Sequence, residues 1–245
     1  MEQQRYAASP TTGVISEAWV LYKTHWRHLV AIAFVVYLGL ALLTAALEAT
    51  TTWLGATLGF MLSIIGGFWL QGALVEAVQD VRDGRVDLSL ADTLARVWPR
   101  LGSIIVAGLL AGIGIAVGFL FLIVPGLVLL TWWILVIPVV VLERAGAADA
   151  FGRSRELVRG YGWSVFGVIL LTVLVLILAG LLIGLALLPL APWLRGFVSS
   201  VVSGTLTAPF VAAAWTVLYF RLRDTKAQTA PPVEPAAPPP TSPAL

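Results

Sequence analysis

The residues able to do chemistry in this 245-residue chain are few and sit at the edges of long apolar runs. Glu76 and Glu143 each close such a run, and Gln71 lies about one helical turn before Glu76. Side chains placed there can bind a substrate head group, but pairing with loop arginines or exposure to water is the nearer expectation. His25 and His28 stand at i and i+3, a spacing that lets two imidazoles reach one metal ion. No third ligand accompanies them, so no metal site is expected. There is no cysteine and no asparagine, which removes disulfides, thiolate metal sites and N-glycosylation. Gly112-x-Gly114 follows no strand and is not a nucleotide fingerprint. No nucleophile–base pair or carboxylate dyad lies in a polar segment large enough to shape a pocket. The expectation is a non-enzyme with no cofactor and no nucleic-acid partner.

Two clusters remain. Arg153, Arg155 and Arg159 accompany Phe151, Leu157 and Val158 in a short segment. On a helix lying in a membrane interface, the apolar residues face acyl chains and the arginines reach phosphates. Each basic residue near an anionic surface contributes about 1 kcal/mol. The same arginines can instead serve only to fix orientation. Ser200, Ser203 and Thr207 share one face of the last apolar run, followed by Pro209. They suggest a polar path, with a helix broken at Pro209. The plainer alternative is hydroxyls bonded to their own backbone or to a neighbouring helix.

The elements that must position these groups are set by hydropathy. Leu101 to Leu142 contains no charged side chain. As a helix it far exceeds one bilayer core of about 30 Å. It fits two crossings reversing at Val124-Pro125-Gly126. Hydrophobic residues are 59% of the chain and charged residues 11%, far below the charge of a soluble domain. The same test predicts six spans, at Leu29–Leu47, Trp53–Val75, Leu101–Val124, Gly126–Leu142, Ser164–Leu188 and Phe197–Phe220. None contains Asp, Glu, Lys, Arg or His, which argues against ion pumps, proton relays and voltage sensors. No strand alternation suggests an outer-membrane barrel.

Charge distribution orients the spans. Of 15 basic residues, all but Arg195 fall in the segments before the first, third and fifth spans and after the last. By the positive-inside rule both termini are cytoplasmic. No cleavable signal peptide is visible. The inner segments recur: Ser16–Arg27, Ala91–Arg100 and Asp149–Tyr161 each precede a span and its return. This predicts three hairpin repeats, each preceded by a short cytoplasmic interfacial helix. Gly55-x3-Gly59, Gly108-x3-Gly112, Gly114-x3-Gly118 and Gly180-x3-Gly184 suit close packing inside the bundle or, alternatively, a dimer face. The domain reading is an N-terminal cytoplasmic segment over 1–12, an all-α six-helix membrane domain over 13–224, and a disordered Pro-rich cytoplasmic tail over 225–245.

LIVPGLVLL (122–130) and IPVVVLERAGAADAFGRSRELVRGYGW (137–163) resemble the bacterial glycerophosphoryl diester phosphodiesterase membrane-domain family and the related YciC-like inner-membrane proteins. The resemblance rests on the Pro125-Gly126 turn, the span end from Pro138 to Glu143, and Ala150, Ser154, Leu157 and Gly160 before an aromatic residue. It implies a six-helix module of the bacterial cytoplasmic membrane. No phosphodiesterase domain accompanies it here, so that activity is not expected. The leading expectation is a scaffold or accessory module engaging anionic lipids or a membrane-protein partner. The alternative is a transporter or channel for a small or lipidic solute.

Overall fold

Every described apolar run becomes helix, and no strand forms among the described residues. The computed structural model describes residues 9–50, 52–82 and 87–229; Arg5, Arg85 and the tail residues 230–245 lie outside them. The helices are α1 (Val14–Glu48), α2 (Trp53–Arg82), α3 (Leu90–Val97), α4 (Leu101–Phe121), α5 (Ile123–Trp133), α6 (Val136–Leu142), α7 (Ala147–Val158), α8 (Gly162–Ala186) and α9 (Pro192–Thr229). They supply six stretches long and apolar enough to cross a membrane, with α3–α4 and α5–α6 each making one. This is the pattern of an all-α polytopic membrane protein.

Local chemistry sets the boundaries. Ser89 starts α3 by accepting the Asp92 N–H at 3.2 Å and donating its hydroxyl to Asp92. A 3-10 turn at Trp98–Arg100, with Pro99 inside it, then leads into α4. Gly160, at φ +90, takes the left-handed angle that ends α7 and lets α8 begin.

In the first unit the helical run that begins at Val14 is interrupted at His25, where φ is −114 and ψ 21, so two helices meet there across a kink. Three expectations need correction. The α4–α5 reversal is at Leu122, in extended conformation, not at Pro125-Gly126. Pro125 and Gly126 lie in the first turn of α5, where a missing N–H costs nothing. The fourth span is not one helix. Pro138 cannot donate to the carbonyl four residues back, and the ladder breaks at Ile134–Leu135. Conversely, α9 runs unbroken through Pro209 and on to Thr229, so helix replaces the tail expected from 225 to 229.

α1, α2 and α9 pack side by side, and glycines bring α1 and α2 together. A β-carbon on Gly66 would strike Leu40, and one on Gly55 would strike the Leu47 carbonyl. Gly108 of α4 leaves room for the Phe68 ring of α2. Gly118 meets Gly126 across the α4–α5 hairpin, with its β-carbon position 3.0 Å from Gly126 Cα. Core side chains concentrate toward the end carrying the arginines. Leu70 to Val81, Val136 to Val141, Val165 to Ile169 and Phe210 to Leu222 supply most of them. Beyond Thr172, α8 buries no side chain, and Gly180 and Gly184 face open space.

Candidate functional site

A hydrogen-bonded polar cluster lies where α6, α7 and α9 meet at the basic end. α7 carries Ala150, Ser154, Leu157 and Val158 at helical spacing, and all four are buried. That stripe turns Arg153 toward Glu143, which caps α6. The Arg153 Nε lies 2.9 Å from Glu143 Oε2, and its Nη1 donates to Glu156 at 3.0 Å. Burial works against the charge of Arg153, but its hydrogen bonds to Glu156 and Glu143 outweigh this and hold the guanidinium above its usual range. On the other side, the Tyr219 hydroxyl of α9 donates to Glu143 Oε1 at 2.8 Å. Glu143 is therefore occupied from two helices and has no free role as a base.

Three further contacts hold α7. The Ser154 hydroxyl donates to the Trp132 carbonyl at 2.6 Å, next to the ladder break that Pro138 creates. The Arg155 guanidinium stacks 4.2 Å from the centre of the Trp132 ring. Phe151 meets Trp133 edge-on with ring centres 5.0 Å apart. α7 is thus packed into the bundle along one side and exposed along the other.

Around it, other cations are paired. Glu76 lies 3.7 Å from Arg96, and Arg82 lies 3.9 Å from Asp224 while stacking on Phe220. Arg221 holds Glu17 at 2.5 Å and also donates to the Thr12 carbonyl. Arg100 donates to the Val141 carbonyl at 2.7 Å. Arg155, Arg159 and Lys226 have no carboxylate partner among the described residues. Lys226 Nζ donates to the Arg159 carbonyl at 2.8 Å and lies 5.7 Å from the Tyr161 ring centre. Trp163 follows at the start of α8 with 88% of its surface exposed. The three α7-segment arginines therefore divide: Arg153 is an internal tie, and Arg155 and Arg159 stay exposed, with Lys226 bound to the Arg159 carbonyl.

Two hydroxyls of the candidate path on α9 bond to the helix backbone, while the buried Thr205 and Thr216 hydroxyls have no partner among the described residues. Ser200 donates to the Phe197 carbonyl and Thr207 to the Ser203 carbonyl, at 2.8 and 2.7 Å. His25 and His28 join no group of three or more metal-ligating side chains among the described residues. Arg195 is a cap, its Nη2 donating to the Leu188 and Leu190 carbonyls beyond the end of α8. Sequence reasoning missed Tyr219 and Lys226, whose partners are distant in the chain; an ionisable or phenolic side chain in an apolar helix end was the available signal. No family model, curated protein or solved structure matches this chain.

Proposed function

We propose that this protein is a non-enzymatic module of a bacterial cytoplasmic membrane, with both termini cytoplasmic, acting as a scaffold or accessory component that engages anionic lipids. The observation that carries the reading is the α7–α8 junction. Arg155, Arg159 and Lys226 lack carboxylate partners among the described residues, and exposed Trp163 follows Arg159 in the chain at the start of α8. A tryptophan at headgroup level with neighbouring cations is the arrangement that recognises lipid phosphates. At about 1 kcal/mol per basic residue, three such groups give a measurable preference. The resemblance of residues 122–163 to glycerophosphoryl diester phosphodiesterase membrane domains belongs to the same proposal; the catalytic activity does not. A solute path along Ser200, Ser203 and Thr207 has no comparable support, because the Ser200 and Thr207 hydroxyls are spent on the helix backbone.

The test is lipid retention. Arg155 and Arg159 are changed together to Gln, leaving Arg153 in place, and co-purifying lipid is measured by mass spectrometry after mild detergent extraction. Loss of phosphatidylglycerol or cardiolipin relative to wild type is expected. Equal retention would overturn the headgroup role.

A further inference from the structure

The three connections at the end opposite the main basic cluster are built differently. Between α1 and α2, the Thr50 hydroxyl donates to the Leu47 carbonyl and the Thr52 hydroxyl accepts the Gly55 N–H, next to Glu48. Between α8 and α9, Arg195 caps the Leu188 and Leu190 carbonyls. Both turns present polar side chains to their surroundings. The α4–α5 turn has none. Between Ser103 and Thr131 every residue is apolar, glycine or proline. Phe119 to Val124 are all exposed, Leu120 at 83% and Leu122 at 68%.

Two backbone hydrogen bonds close this turn. Leu122 N–H donates to the Gly118 carbonyl at 3.1 Å, and Gly126 N–H to the Leu122 carbonyl at 3.4 Å. Pro125 has no N–H to satisfy. The Gly118–Gly126 approach makes the reversal narrow enough for this closure. Helix lengths locate the tip. Gly108 lies against Phe68. About 19.5 Å of helix then separates Gly108 from Phe121, and about 22.5 Å separates Phe68 from Trp53. The end of α4 at Phe121 is therefore level with the start of α2 to within about 3 Å.

We propose that the α4–α5 tip, Phe119–Val124, is seated among the acyl chains of the far leaflet and does not emerge into water. The partner of this surface is the acyl layer rather than a protein. The apolar side chains draw the tip inward; the unpaired Ile123 and Val124 amides hold it just beneath the headgroups, since such groups are costly deeper in hydrocarbon. The hairpin is then closed to the far side, and only the other two turns present polar groups there. The inference rests on reading the six helices as membrane spans, but not on which face is cytoplasmic.

The cysteine-free chain allows a direct test. Leu122→Cys, Ala49→Cys and Leu174→Cys are spin-labelled singly and reconstituted in phosphatidylethanolamine–phosphatidylglycerol vesicles. Collision with oxygen, which concentrates in acyl chains, is compared with collision with a water-soluble nickel complex. Leu122 should behave like Leu174 of α8, with a ratio several-fold above that of Ala49. A ratio matching Ala49 overturns the proposal, as does shielding from both agents, which would mean that a protein surface or second copy covers the tip. If Leu174 itself meets nickel freely, the spans and the proposal fall together. Leu120→Cys, also fully outside the packed core, repeats the measurement should a label at Leu122 disturb the turn.

Discussion

The Tyr219 hydroxyl and the Glu143 carboxylate, 76 residues apart, meet at 2.8 Å. The bond joins the C-terminal helix to the α6–α7 corner. Arg153 binds the same carboxylate from α7, so Glu143 is the point at which three helices are held together. A hydrogen bond to a charged group is typically worth about 1.5–3 kcal/mol. Tyr219→Phe should therefore lower thermal stability in detergent by a few degrees. In a double-mutant cycle, Tyr219→Phe and Arg153→Gln should be non-additive, because both act on Glu143. Strict additivity would show that the two contacts are independent.

The hairpin depends on glycine at 126 more than on proline at 125. A β-carbon at Gly126 would lie 2.5 Å from the Phe119 ring, and Gly118 packs directly on the Gly126 backbone. Gly126→Leu should cost roughly 1–3 kcal/mol through overpacking and reduce the yield of folded protein. Pro125→Ala should change stability little, since Leu122 makes the reversal. A larger loss from Pro125→Ala than from Gly126→Leu would return the turn to the proline.

These particulars show what the sequence disclosed and what it withheld. The helices between charged segments were legible because apolar length and charge placement vary slowly along the chain. The turn at Leu122 was not, because hydropathy is uniform from Ser103 to Thr131 and proline is tolerated in the first helical turn. Pro138 had the opposite outcome to Pro209, one dividing a span and the other remaining inside continuous helix, and residue type alone does not separate them. The division of labour among Arg153, Arg155 and Arg159 needed the positions of Glu143 and Trp132, which only tertiary packing supplies.

The glycines of α8 offer a contrast. A β-carbon at Gly180 or Gly184 meets nothing, whereas one at Gly108 would collide with Phe68. Gly180→Leu and Gly184→Leu should alter stability by no more than about 0.5 kcal/mol, the usual range for exposed sites. Gly108→Leu should be clearly destabilising. Loss of a defined oligomer on changing Gly180 or Gly184 would instead mean that α8 packs against a second copy.

The end of α9 carries a structural contact beyond the boundary first expected. Lys226 donates to the Arg159 carbonyl at the α7–α8 turn, and helix continues to Thr229. Removing residues 230–245 should leave the melting temperature in detergent unchanged. Removing residues 225–245 should lower it, because the Lys226 tie is lost. Equal effects of the two truncations would contradict the role given to Lys226.

Placement of the two ends of the bundle tests the account most directly. Single cysteines at Ala49, Asp149 and Gln228 are probed in intact cells with a membrane-impermeant thiol reagent, before and after permeabilisation. Ala49→Cys should label in intact cells, and Asp149→Cys and Gln228→Cys only after permeabilisation, as the clustering of basic residues requires. Labelling of Asp149→Cys from outside intact cells would contradict the orientation and, with it, the engagement of cytoplasmic-leaflet lipids by Arg155 and Arg159.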